Sequence, residues 1–506
     1  MQTKYPTQNT IVLQINDFSK GLRLDKDQNI ADIQTSVDTF NFDFSSGALK
    51  DCVDFDYLTL PTSEEFGSDE VRPESPESEN VLHFTKIAHL KIYSDDEQKR
   101  DDDLFVFTDK NEVFRTKMIS SSPKFEKVAE ATFVGKPRTY NCRLGGTDYL
   151  LVFDSKDQLK LWSEDSKGFL SMPDTPNITD YCRYADYNVG IIGDQQDTIR
   201  FDEVYPTNWM VDKPHRGIDI KLSDAYGSAN RLLSFKDYVF IVRDFGISRL
   251  AWYKSTGTYS INNLVYPGSK IYGETACICG DKGLVLCSDG IYEFNSVSAK
   301  KLDLPFNKLL EGVTNKYACA TFKGGKYYLA CQLNFNDDQI INCEYITHHN
   351  NVLIVLDTET NSYTLLRGLD INDLCTVQYA SVDKVLATFY SNFKSQIGQI
   401  GHSGKNFNFL IVRYWQSPLS DLGYPDKEKL VREISINTKE NVYFKIFTEN
   451  DSKTILINGR DKPVRIPIKI KGNKIGFSLQ TITEKVCISD LKIKLDLLDK
   501  EYEVLH

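Results

Sequence analysis

The stretch Leu284, Val285, Leu286, Cys287, Ser288, Asp289, Gly290, Ile291, Tyr292, Glu293, Phe294 decides the fold. An apolar run, a tight polar turn and a second run that alternates apolar with polar residues describe two antiparallel strands joined by a hairpin. The pattern recurs along the chain. Residues 104–107 cross Asp109, Lys110 and Asn111 to reach Val113 and Phe114, and residues 150–153 cross a turn at 154–157 to reach Leu159 and Leu161. Residues 189–192 lead through 194–197 to Ile199 and Phe201, and 239–242 lead through Asp244 and Gly246 to Ile247 and Leu250. Weaker copies begin at Tyr327 and Val385. Successive starts at 104, 150, 189, 239, 284, 327 and 385 stand 39 to 58 residues apart.

A period of roughly 40 to 50 residues with several short strands in each unit is the spacing of β-propeller blades. A four-stranded blade is apolar on both faces and cannot bury them alone, so blades stack, and circular closure leaves only short, protected edges. The count predicts six or seven blades over residues 81–405. Regular strand spacing is also a property of large β-sandwiches, which are the alternative. Beyond residue 405, about seven short alternating segments separated by Gly, Asn, Asp and Pro turns predict a second, smaller domain. The expected fold is therefore all-β: a six- or seven-bladed β-propeller followed by a small C-terminal β-sandwich over 406–506. Residues 1–80 are expected to form an N-terminal arm and acidic loop that pack on the propeller. Within the arm the sequence predicts a strand at 11–15, a short helix at 30–37 and a hairpin turn at Ser45, Ser46 and Gly47. Residues 61–80, with Pro61, Pro73 and Pro76 among Ser, Glu and Asp, read as a solvated loop, and a second charged loop follows at 94–103.

Composition narrows the function. Hydrophobic residues make up 41% and charged residues 26%, which is ordinary for a globular chain, and 27 Tyr and 29 Phe against 4 Met favour strands over helices. No run of about 18 apolar residues occurs, so no transmembrane helix is expected. The formal net charge of −11 repels phosphate backbones and disfavours adhesive nucleic-acid binding, although a surface that fails to grip phosphates suits DNA that slides past. Eleven cysteines, an odd number scattered through apolar runs, read as reduced thiols. Cys277 and Cys279 lack a second pair and are a weak zinc signal.

Catalytic patterns were sought and none is complete. Ser288, Asp289, Gly290 is a fragment of the turns found in propeller glycosidases and reads as a hairpin turn. His348 and His349 are adjacent and point to opposite faces of an extended chain, so they do not share a metal readily. No catalytic, cofactor or metal residues are assigned, and the chain is not expected to be an enzyme. Trp209, Trp252 and Trp415 are the candidate structural or interface anchors, because large aromatics at domain junctions organise packing.

Several segments resemble one family. Asn16, Asp17, Phe18, Ser19, Lys20, Gly21, Leu22, followed by Asn41, Phe42, Asp43 and by Gly47, Ala48, Leu49, Lys50, resemble the start of propeller-type tail or neck proteins of tailed bacteriophages, the stabilisation, tail-hub or nozzle proteins. Pro206, Thr207, Asn208, Trp209 resemble a tetrapeptide that precedes the propeller core in such proteins, the segment 227–250 ending in Asp244, Phe245, Gly246, Ile247 is similar to their central blade, and Cys287 to Tyr292 to the blade after it. Tyr414, Trp415, Gln416, Ser417, Pro418, Leu419 with 427–432 resemble the start of their C-terminal sandwich. The acidic stretch 61–80 has no counterpart in that pattern. The resemblance implies a virion structural protein made in the bacterial host cytoplasm, without cofactor or catalysis. It would form a cyclic homo-oligomer, with a hexamer as one expected copy number, and would meet a portal or adaptor and other tail proteins. The ring would continue the DNA channel below the portal and serve genome ejection, with DNA passing through unbound. Two other readings stay open: a carbohydrate- or receptor-binding propeller with a lectin-like sandwich, and a polysaccharide hydrolase.

Overall fold

A computed structural model describes residues 9–499 apart from 25–31, 60–82, 94–101, 118–124, 129–132, 204–217, 336–348 and scattered single residues and pairs in turns. Trp209, Cys343, His348 and the 61–80 loop lie outside the described residues. Seven four-stranded antiparallel sheets follow one another around an axis, and the chain is a β-propeller. Blades 1 to 6 each take four consecutive strands, and their innermost strands are Phe84–Leu90, Arg138–Leu144, Ile178–Tyr184, Ala229–Phe235, Ile271–Cys279 and Cys319–Lys323. Second strands such as Tyr238–Arg243 and Lys282–Cys287 are buried almost throughout, since a neighbouring blade covers each face. The hairpin read first in the sequence is the second and third strand of blade 5, with Cys287 opposite Gly290.

The seventh blade closes the ring and corrects the expected arrangement of the arm. Its first three strands are Asp370–Tyr379, Val382–Ser391 and Lys394–Gly401, and its fourth comes from the other end of the chain. Numbering the arm strands β1 (Asn9–Ile15), β2 (Asp38–Phe40), β3 (Phe42–Asp43), β4 (Leu49–Asp51) and β5 (Asp54–Thr59), it is β5 that pairs with Lys394–Gly401, placing Phe55 opposite Ile400. Phe55 is fully buried with its ring 4.8 Å from Phe389.

The other four arm strands join the sheets of the second domain, and β2 and β3 also lie against blade 6 of the propeller. β4, with β3 beyond it, and β1 pair with Cys487–Asp499, and the sheet continues through Lys427–Thr438 to Val464–Gly472. β2 opens the facing sheet and is followed by Val412–Gln416, Gly476–Ile482, Val442–Phe447 and Ser452–Ile457. The cause is the alternation in β1: Ile11, Leu13 and Ile15 form an apolar row that is buried only when the strand joins a sheet covered on one face. One segment of about fifty residues thus completes both domains.

The expected helix at 30–37 is not formed over the described residues 32–37. The Asp32 carboxylate accepts the Gln34 amide (3.0 Å), and its carbonyl accepts the Thr35 amide and hydroxyl (2.8 and 2.7 Å). An aspartate that bonds its own following backbone competes with helix formation, and a turn results.

The segments 16–24 and 32–50 meet the segment 412–418 in one joint. The Phe18 amide donates to the Gly47 carbonyl at 2.9 Å, and Gly21 (φ +55°) passes so close to Phe44 that a Cβ there would sit 2.6 Å from its ring. Only glycine fits that position. Tyr414 and Trp415, being neighbours in a strand, face opposite ways. Trp415 enters the sandwich core between Phe18 (5.3 Å) and Phe477 (5.1 Å). Tyr414 stacks on Phe40 (5.6 Å) within an apolar cluster that includes Leu286, Tyr327 and Ile354 of blades 5 and 6. Between the domains, Asn41 donates to the carbonyls of Arg367 (3.1 Å) and Val412 (2.7 Å) and accepts the Arg367 amide (2.7 Å). The sandwich is therefore seated on the outer strand of blade 6, Tyr363–Arg367.

Candidate functional site

Among the described residues, a connected group of charged side chains from the inner strands gathers around the propeller axis. Inner strands of several blades carry a β-bulge near their start, between Phe84 and Lys86, Ile178 and Asp180, Ala229 and Arg231, Tyr272 and Cys277, and Ile371 and Asp373. A bulge adds one residue and re-aims the side chain beside it. In blades 1, 3, 4 and 7 the residue just past the bulge is charged, and in blade 5 Glu274 lies within it. The fold repeats a backbone irregularity and the sequence fills it with charges of both signs.

These side chains cross-link around the axis. Asp373 of blade 7 pairs with Lys86 of blade 1 (3.1 Å) and with Lys136 ahead of blade 2 (2.8 Å), and accepts the Ile87 amide at 3.1 Å. Asp180 of blade 3 accepts the Leu232 amide of blade 4 at 2.6 Å and lies 3.7 Å from both Arg138 and Arg231. Arg138 of blade 2 reaches across to Glu274 of blade 5 and donates to the Asn230 carbonyl of blade 4, and Arg231 lies 3.8 Å from Glu274. Neutral contacts continue the belt, with the Thr321 and Thr376 hydroxyls 2.6 Å apart and the Tyr327 hydroxyl donating to the Thr275 carbonyl at 2.7 Å.

Burial alone would raise the Glu274 carboxyl, yet Arg138 and then Arg231 outweigh it and hold the group well below the usual carboxylate range. Burial alone would lower Lys136, and Asp373 reverses that and raises it. The nearby Cys277, Cys319 and Cys375 thiols are pushed by burial up to about 12, so they stay protonated and unreactive. Chemically the belt is a clamp. Each charge already has a partner, so the arrangement fixes blade against blade and leaves the axis bridged at this level. Beside it opens a polar cavity of about 230 Å³ lined by Lys136, Arg138, Asp154, Thr179, Asn230 and Glu274.

None of these residues was singled out from sequence. A charge two or three positions into five of the seven inner strands was the available signal, but it looks like ordinary strand polarity until the blades are superposed. The tryptophan anchors fall elsewhere. Trp415 lies in the sandwich core rather than against the propeller. Trp252 is half-buried between blades 3 and 4, 4.8 Å from Phe201 and 5.5 Å from Tyr187. The Ser288, Asp289, Gly290 fragment is a hairpin turn in which the Asp289 carboxylate accepts from Ser269 (2.7 Å), Lys301 (2.9 Å) and Tyr292 (3.1 Å). Asp244 in the Asp244, Phe245, Gly246 turn likewise accepts the Ser228 amide (3.0 Å) and the Asn230 amide group (3.1 Å). No helix among the described residues is long and apolar enough to cross a membrane.

No protein-family model matches the chain, and no curated protein matches it. Among solved structures it is similar to a catalytically inactive virginiamycin B lyase from Staphylococcus aureus with quinupristin, at 9% identity over 62% of this chain and 99% of that one, with a TM-score of 0.38. It is similar to BBS1N in complex with ARL6DN, at 9% identity over 64% of this chain and 94% of that one, with a TM-score of 0.39. A third is the extracellular domain of a one component system from B. thetaiotaomicron, at 9% identity over 87% of this chain and 60% of that one, with a TM-score of 0.44. At this identity they say nothing of the chain's activity or partners.

Proposed function

We propose that this chain is a non-catalytic structural subunit of a tailed-phage or prophage-derived particle, assembled with its own copies into a closed ring at the neck or tail. The observation that carries the reading is the joint. Stretches that resemble phage neck and tail proteins, 16–22 and 41–43 at one end and 414–419 at the other, lie hundreds of residues apart in sequence and are brought together as Phe18 packs on Trp415 and Phe40, which precedes Asn41, stacks on Tyr414. Phe40 and Tyr414 reach the propeller cluster while Phe18 and Trp415 anchor the adjoining residues in the sandwich core, so the joint locks sandwich to propeller, a requirement for a part that transmits load. The bridged axis agrees with this assignment: in such a particle the DNA passage belongs to the ring of copies, and each propeller is a solid wall unit. Closed rings need head-to-tail contacts.

The test is the assembly state of the purified full chain, by mass photometry and negative-stain imaging, alone and with a portal ring. Closed oligomers, or rings seated on the portal, are expected. A chain that stays monomeric in both settings and binds glycans on an array would replace this reading with the carbohydrate-binding one, for which the polar cavity beside Arg138 and Glu274 is the place to look.

A further inference from the structure

The outer edges of the sheets differ in a way that the fold does not require. An unpaired strand edge exposes backbone donors and acceptors, and proteins blunt such edges by shortness, charge, proline or a cover. Most edges here are blunted. The outer strands of blades 1 and 2, Glu126–Lys127 and Leu170–Ser171, are two residues long; that of blade 3, Ile218–Lys221, carries Asp219 and Lys221; that of blade 5, Ala299–Lys301, carries two lysines. Blade 6 ends under the sandwich, and β5 of blade 7 carries Asp54 and Asp56. In the sandwich, Ser452–Ile457 carries Lys453, and Val464–Gly472 carries Pro467 between Arg465 and Lys469.

Two edges break the pattern. The outer strand of blade 4, Thr258–Val265, is eight residues long with no ionisable side chain except Tyr259, and it sits in a stretch, 255–269, without Asp, Glu, Lys, Arg or His. Its Ile261 and Leu264 pack against neighbouring clusters, so the strand is held in place with its edge outward. β1 is seven residues long within 5–16, which likewise carries no charge, and Val12 is 57% exposed. Among the described residues no strand pairs with the outer edge of either. On a chain of net charge −11, these are the places where a second copy approaches against the least repulsion.

We propose that successive copies join edge to edge, β1 of one copy adding to the blade 4 edge Thr258–Val265 of the next. This rests on the ring reading and deepens it: one edge is on the sandwich and the other on the propeller, so the contact is head-to-tail and propagates around a ring. Main-chain hydrogen bonds supply the affinity, and the absence of charge on both edges supplies the selectivity.

The test uses full-length Val12→Lys and Asn262→Glu proteins, both at exposed positions, with Val12→Thr and Asn262→Thr as controls. Wild type and controls are expected to be oligomeric at tens of micromolar by light scattering, and each charged variant monomeric with an unchanged melt. Mixed one to one, the charged variants are expected to assemble again, since each lysine edge then meets a glutamate edge and the remaining edges are wild type. A wild type that is monomeric overturns the pairing. Disruption by Asn262→Glu alone also overturns it, because two blade 4 edges would then be paired with each other. Closed rings that survive both charges overturn the edge contact and leave the ring reading standing.

Discussion

Replacing Trp415 tests the separation of the two domains most directly. Its side chain is fully buried in the sandwich, edge-on to Phe18 and stacked on Phe477. A buried tryptophan removes about 150–250 Å² from water, and at ~25 cal/mol per Å² that is about 4–6 kcal/mol. Truncation to alanine leaves part of that area as a cavity, so Trp415→Ala should destabilise the sandwich by about 3–5 kcal/mol. Trp415→Phe behaves differently. The indole N–H finds no acceptor among the described residues, and removing an unsatisfied buried donor returns about 1–3 kcal/mol. The phenylalanine variant should therefore lose no more than about 1–2 kcal/mol. Differential scanning calorimetry with near-ultraviolet dichroism reads both. In Trp415→Ala the sandwich transition should move down and separate from a propeller transition that stays in place, because Tyr414, not Trp415, touches the propeller. A single cooperative melt that shifts as a whole, or a phenylalanine variant as damaged as the alanine one, would refute the reasoning.

Glu274→Gln removes the anion that Arg138 and Arg231 share on the axis and should lower the propeller's stability by about 1–3 kcal/mol in urea titrations. Because those arginines depress the carboxyl, its contribution is present in full above the unfolded value of about 4.3 and is lost progressively as pH falls from there through the much lower folded value, so the wild-type advantage over Glu274→Gln should shrink steadily in acid. Phe55→Ala empties the closure between β5 and blade 7 and should cost about 3–5 kcal/mol, seen as faster proteolysis within 370–401 while the sandwich stays resistant. Thiol labelling at mildly alkaline pH should modify exposed Cys487 in the native protein and spare Cys52, Cys277, Cys319 and Cys375, whose thiols burial pushes up to about 12; rapid labelling of those four would show the blades to be open.

The sequence by itself determined the all-β class and the repeating blade, because a hairpin is a local object: Leu284 to Phe294 needs only its own alternation and the turn at Ser288, Asp289, Gly290 to be readable. It also placed the C-terminal strands, whose polar and apolar positions alternate within a few residues. Tertiary structure decided the rest. That β5 is the fourth strand of blade 7, and that β1 to β4 complete the sandwich, depends on pairings across more than 300 residues, and a strand's own pattern says which face is apolar but not which sheet will cover it. The axial belt was hidden for the same reason. Lys86, Arg138, Asp180, Arg231, Glu274 and Asp373 are polar residues in six separate strands, and only the closing of the ring brings opposite charges from blades 2 and 5 into contact.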